Sequence, residues 1–468
     1  MHSFESLWGR RDLGRALVVV VWLVASAVGV MPVAQAAEVA QGVRSDLPVR
    51  TQLAQYPVAQ PQAAPGASGP TGPRAASAAS AVTAASQAAP APRRWMAVPR
   101  VIGRITSQDL GLVINTDDPY SVQVGEYYAR ARRIPEHHIL RVSLPVKSAL
   151  TLAEFEEFNK RIQAFYGDQV QGLALAWRMP YGVDCQSITG VLAMGYDSKL
   201  CAANCGPAKS STYFGSASSR PFKDHGMRLG MLLAARDVEA AKALIDRGVK
   251  SDGSLGLRGA LPVTAHFVIT SDNVRSVRQV FYPPPTQVSR LGVDVQIDRT
   301  DALKNADRVL LYMTGKANID WLDTVNFVPG ALADHLTSFG GIFDKPHGQM
   351  TALAWIHAGA TASYGTVSEP CAHWQKFPHP QALLLFYAQG ATALEAYWKS
   401  VLWPSQGVFV GEPLAAPFAR DPRDAREPPA ELPREVPREP AKDPIKEAPK
   451  DVPGELARSE ILRGMSMK

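Results

Sequence analysis

The sequence predicts an α/β fold: a mostly parallel sheet with helices on both faces, broken by one irregular insertion that carries cysteines. Three observations predict it. Short apolar runs alternate along the chain with stretches of helical periodicity, the pattern of parallel strands joined by crossover helices. Several of those runs end in polar turns. One stretch, residues 179–220, follows neither period.

Each element has its own justification. Leu110 to Ile114 is a first strand, and Ser121 to Arg132 is a helix with Val124, Tyr127, Tyr128 and Ala131 on one face. Asp118 or Ser121 can cap it, and Pro119 suits its first turn because its φ is already helical. Ile139 to Leu144 is a second strand. Leu152 to Tyr166 is an amphipathic helix, with Phe155, Phe158, Ile162 and Phe165 in register. Gly172 to Trp177 is a third strand. The Gly- and Ser-rich insertion over about 179–220 follows, holding three of the cysteines. Helix is expected over Met227–Arg247, and strands over Val263–Thr270 and Val309–Thr314. Further helices are expected over Gly330–His335 and Met350–Ala358, the latter stopped by Gly359. Ala360 to Val367 is a buried strand of small, β-branched and aromatic residues, and Gln381–Lys399 is a last helix.

The chain has 468 residues and a formal charge of +6. Arg10, Arg11 and Arg15 precede an apolar run from Ala16 to Val33 and then Ala34-Gln35-Ala36-Ala37, so residues 1–36 read as a secretory leader cleaved after Ala36. The run is nearly long enough to serve as an uncleaved anchor. Residues 37–99 are rich in Ala, Pro and Ser, and 419–468 in Pro and charge. Neither buries enough apolar surface to offset its ordering entropy, so both are expected to be disordered. The folded domain is expected over 100–418, in the periplasm or cell envelope.

The basic excess is spread out, with no stripe interleaved with aromatics, which excludes nucleic acid as a partner. No phosphate-binding glycine loop is present, and no cofactor is expected. Export predicts that Cys185, Cys201, Cys205 and Cys371 form two disulfides. Three connectivities are open; the reading favours Cys201–Cys205 as a local pair and Cys185–Cys371 as a clip from the insertion to the Glu369 loop. Zinc is the rival for Cys201-x-x-x-Cys205, but a clear second ligand pair is missing; no metal is expected.

The densest reactive cluster is Ser368-Glu369-Pro370-Cys371, with His373 two residues on. A second polar turn, Asn115-Thr116-Asp117-Asp118-Pro119-Tyr120-Ser121, follows the first strand, and Lys316 follows the strand ending at Thr314. Ligands of open parallel sheets gather past the carboxyl ends of strands. Asn115, Asp118, Ser121, Lys316, Ser368 and Glu369 are therefore expected to share one crevice, suited to a peptide, a sugar or an ion. Capping explains each residue singly. No His-Glu-x-x-His or Gly-x-Ser-x-Gly motif is present. His335, His347 and His357 are read as structural.

Residues 111–142, 327–338 and 358–370, with Val410-Gly411-Glu412-Pro413-Leu414-x-x-Pro417-Phe418, carry a combination of motifs. Through it the chain resembles an uncharacterised family of exported bacterial proteins, found in genomes with the exosortase system and its PEP-type sorting signals. The resemblance covers roughly 110–418. It implies a context in envelope protein sorting and surface polymer export, with that machinery or its substrates as partners, and no catalytic residues. A weaker resemblance, to gingipain-like cysteine peptidases, implies a caspase-like sheet. Their catalytic His and Cys would fall near Gly315-Lys316 and Thr337-Ser338, where this chain has neither. The expectation is an exported accessory or binding protein. The enzyme rivals are a hydrolase using Cys371 with His373 or a distant His, and one using a Ser338/Lys316 pair.

Overall fold

The computed structural model describes Arg94, Met96 and residues 98–420 apart from Pro346. The expected leader, nearly all of the 37–99 linker and the tail beyond 420 lie outside the described residues. Eleven strands form one sheet: β1 (Leu110–Asn115), β2 (Ile139–Val142), β4 (Gly172–Leu175), β7 (Leu229–Leu232), β8 (Val263–Ile269), β9 (Thr286–Val288), β10 (Val293–Arg299), β11 (Val309–Thr314), β12 (Phe327–His335), β13 (Ala362–Thr366) and β14 (Gly407–Gly411). Three two-residue strands, β3 (Ala149–Leu150), β5 (Gly182–Val183) and β6 (Gln186–Ser187), form a small second sheet. The helices are α1 (Pro119–Arg132), α2 (Leu152–Tyr166), α3 (Ile188–Met194), α4 (Ser198–Ala202), α5 (Pro221–His225), α6 (Val238–Ser251), α7 (Ala352–Ala358), α8 (Pro380–Ala388) and α9 (Ala393–Trp398). Among the described residues, no helix is long and apolar enough to cross a membrane.

The large sheet runs β2-β1-β4-β7-β14-β13-β12-β11-β8-β10-β9. Its first five strands are mutually parallel. So are β13, β12, β11, β8 and β10. The two sets meet at β13 and β14, which are antiparallel: Ala362 lies opposite Gly411 and Thr366 opposite Gly407. The sheet is thus two parallel halves running in opposite directions, and the carboxyl ends of one half lie at the amino ends of the other.

Local chemistry explains most elements. Asp118 caps α1 by accepting from Tyr120 N at 3.0 Å, with Pro119 at the first helical position. Thr151 and Glu154 form a capping box on α2. Two expectations change. Gly330–His335, expected as helix, is the end of β12, and the start of the expected Met227–Arg247 helix is β7. Both segments are buried throughout: a run with no exposed face fits a central parallel strand, whose two faces are both covered, and in β12 the helix propensity of Ala331 and Ala333 is overridden. The expected Gln381–Lys399 helix is two, α8 and α9, separated at Gly390, which has φ +93°. The insertion is less irregular than expected, since it contains β5, β6, α3 and α4.

Among the described residues, each half holds one ion pair with both side chains buried. In the β1 half, Arg132 meets Glu412 of the Gly-Glu-Pro motif, Nε to Oε1 at 3.0 Å, and Tyr128 donates to the same Oε1 at 2.8 Å. In the other, Arg278 Nη1 lies 2.5 Å from Asp334 Oδ2. Burial pushes the Asp334 carboxyl up, against the pull of Arg278.

Candidate functional site

The reversal at β13 and β14 separates the six residues expected to share a crevice. Asn115, Asp118 and Ser121 follow β1, at the carboxyl edge of its half. Lys316 follows β11, and Ser368 and Glu369 follow β13, at the carboxyl edge of the other half, which is the opposite edge of the sheet. The physical reason is β14: a strand returning antiparallel to its predecessor reverses the direction of everything beyond it. Alternation of strands and helices does not reveal that reversal.

On the first edge the polar groups are used internally. Asn115 is fully buried; it donates through Nδ2 to Leu144 O at 3.0 Å and accepts through Oδ1 from Leu144 N at 2.9 Å. Ser121 Oγ accepts from Asn115 N at 2.8 Å, and Asp118 is the cap of α1. This turn clamps β1 to the segment after β2. A cavity of about 380 Å³ lies beside it, lined by Leu144, Pro145, Glu154, Phe158 and Arg161 among others.

On the second edge Glu369 is half-buried. Its Oε1 accepts from Ser338 Oγ at 3.1 Å and from Cys371 N at 2.8 Å. Ser338 reaches it because the turn at Gly340 packs flat on β13: a Cβ on Gly365 would collide with the Gly340 backbone. Gln406 Nε2 donates to Ser368 Oγ at 2.8 Å and to Glu369 O at 3.0 Å. Lys376 is fully buried near Glu369 and donates to Asn204 O at 2.5 Å. Burial lowers its pKa to about 8, with Glu369 opposing the shift. Cys371 and Ala372 have φ of +57° and +51°, a left-handed conformation that costs non-glycine residues roughly 1–2 kcal/mol each. Such outliers persist where the surroundings impose them, and Cys371 is tied at two points, its N–H to Glu369 and its sulfur to Cys205.

All four cysteines are oxidised, in a pairing different from the expected one: Cys185–Cys201 and Cys205–Cys371. Cys201 and Cys205 lie on opposite sides of the end of α4 and bond to different partners. Cys185 in the β5–β6 turn takes the first, and the Glu369 turn takes the second. Two bonds of this kind match the oxidising compartment that export implies. Cys371 is therefore no free thiol. His373 Nε2 bonds Cys205 O at 2.9 Å. The Ser338/Lys316 pair is not assembled either: Lys316 Nζ meets Asp301 Oδ2 at 3.1 Å, while Ser338 donates to Glu369. The histidines read as structural differ. His335 is buried, accepting from Trp355 Nε1 at 2.8 Å and donating to Met350 O at 2.9 Å. His357 is exposed beside Arg236, and His347 lies tilted against Phe339, ring centroids 4.9 Å apart. Lys376 and Gln406, central to this edge, were missed by the motif reading; the apolar residues around Lys376 gave the only signal of a buried amine.

No family model matches the chain, and no curated protein matches it. Two solved structures resemble it weakly. The Arg-specific cysteine proteinase gingipain R is 11% identical, with a TM-score of 0.35, covering 66% of this chain and 78% of that one. A second, described as a protease, is 11% identical with a TM-score of 0.33, covering 59% and 63%. Likeness at that level carries no residue's role across.

Proposed function

We propose that this chain is an exported accessory or binding protein of envelope protein sorting and surface polymer export, and that the Glu369 turn binds rather than reacts. One observation supports the non-catalytic part: the Cys371 sulfur is bonded to Cys205. A cysteine nucleophile needs a thiolate within reach of an imidazole. The envelope context rests on the sequence resemblance and on two disulfides suited to an oxidising compartment. Glu369 offers a ligand its second carboxylate oxygen, because both donors from the chain meet Oε1.

Unreduced mature protein, treated with iodoacetamide and mapped by mass spectrometry, should show Cys371 unalkylated. It should turn over no peptide substrate. An immobilised peptide carrying a Pro-Glu-Pro sorting signal should retain it, and Glu369→Ala should release it. Turnover by the unreduced protein would defeat the reading. Turnover that appears only after reduction and vanishes in Cys371→Ser would establish the peptidase-like alternative, in which the freed thiol lies near His373.

A further inference from the structure

A cavity of about 340 Å³ opens between α2, the carboxyl end of α3, the segment after Cys205 and the turn after α5. Its polar lining comes from Asn159, Lys209, Ser210, Thr212 and His225, and its apolar lining includes Val191 and Met227. That size is at the small end of ligand sites, and the lining is more polar than that of a usual apolar pocket, which suits a hydroxyl-bearing ligand. The cavity is separate from the Glu369 turn.

We propose that this cavity binds a small organic anion, a carboxylate flanked by hydroxyl groups, of the sugar-acid kind. The charge pattern is the first reason. No Asp or Glu lines the cavity. Lys209 Nζ reaches Met194 O at 3.3 Å and makes no ion pair among the described residues. The neighbouring acid, Asp224, is occupied by Ser218 at 2.6 Å and Arg220 at 3.0 Å. Burial lowers the His225 pKa, so at neutral pH the lysine is the cavity's single charge.

The hydrogen-bonding pattern is the second reason. Ser210 Oγ accepts from Trp403 Nε1 at 3.2 Å, which leaves its proton to donate. Among the described residues, Thr212 Oγ1 has only the Met227 sulfur, at 3.5 Å. The helix ends facing the cavity are carboxyl ends, whose last carbonyls lack helical partners and accept hydrogen bonds. They suit ligand hydroxyls. Being negative helix ends, they disfavour every anion, a doubly charged phosphate more than a single carboxylate, so the ligand's charge has to rest on Lys209. A single carboxylate on one ammonium, with hydroxyls on the carbonyls, satisfies both constraints.

The third reason is rigidity. The Lys209 wall starts just after Cys205, which is bonded to Cys371, and Ser211 N donates to Leu402 O at 2.8 Å. A wall held in place before binding lowers the entropy cost of binding. The insertion thus acquires a role beyond replacing core.

The bland reading makes Lys209 a surface lysine that caps α3. Calorimetric titration of the oxidised mature protein separates the two, with D-glucuronate, D-glucose and inorganic phosphate as probes. Glucuronate should bind saturably, and glucose and phosphate at least about tenfold more weakly. Lys209→Gln should lower glucuronate affinity about tenfold, the scale of one charged hydrogen bond, with the melting temperature unchanged. Glu369→Ala should leave glucuronate binding intact, so failure here is distinguishable from failure of the sorting role. Absent glucuronate binding, equal binding of glucose, tighter binding of phosphate, or an indifferent Lys209→Gln would each overturn the proposal.

Discussion

At the carboxyl edge of the β1 half, Asn115 is fully buried and its amide is closed by Leu144 on both sides. At the carboxyl edge of the β13 half, Glu369 is half-buried, and its turn has two left-handed residues, Cys371 and Ala372, the first disulfide-bonded to Cys205. Both turns follow parallel strands, and both looked in the sequence like ligand-binding groups. Burial and hydrogen bonding distinguish Asn115 and Ser121, which are buried and taken up by the chain itself, from Glu369, whose second carboxylate oxygen has no hydrogen-bond partner among the described residues. Asp118, half-buried and capping α1 through Oδ1 alone, resembles Glu369 in this. A polar residue past a strand is a site candidate only after its structural bonds have been counted.

The largest effect should come from the ion pair of the β1 half. Glu412→Ala leaves Arg132 buried with only Asp252 to pair it. Removing one partner of a buried pair costs about 3–5 kcal/mol. Denaturant unfolding should show this as a lowered midpoint with an unchanged slope. A cost under about 1 kcal/mol would mean that water reaches the pair and that the halves are not anchored alike.

Mild acid should weaken the other half. His335 is held neutral because Nδ1 accepts from Trp355 and Nε2 donates to Met350. Burial lowers its pKa from 6.5 to about 4, and His379 falls to about 4 for the same first cause. The unfolded chain therefore takes up these protons first as pH falls. The stability they contribute is complete above about pH 6.5 and is lost as pH drops through about 4, on the order of 3 kcal/mol for a fully buried histidine. Hydrogen exchange near pH 5 should expose β11, β12 and β13 before β1 and β4. Equal loss in both halves would erase the contrast.

The two turns can be compared directly by paired truncations. Asn115→Ala strands buried backbone partners and should cost about 1–3 kcal/mol. Glu369→Ala loses two half-exposed bonds and should cost about 1 kcal/mol or less, while removing the carboxylate offered to a ligand. Thermal melts of both variants measure the difference. A larger loss for Glu369→Ala would make that residue the structural anchor and Asn115 the better site candidate.

What the sequence determined by itself was local. The alternation of apolar runs and amphipathic helices specified the α/β class, and the β1, α1, α2 and β11 segments were legible because period and capping residues agree there. The leader-like start and the cysteine count predicted two disulfides. The tertiary structure decided the rest. β7 and β12 are strands because both their faces are covered, a property of neighbours that the segments themselves do not announce. Cysteine pairing depended on which turn the insertion reaches across space. The division of the six candidate residues between two edges depended on β14, a five-residue strand that pairs antiparallel with β13. Strand direction is set by pairing partners far apart in the chain, whereas periodicity and capping act within a few residues. That difference in range is why the class of fold was readable and the position of the site was not.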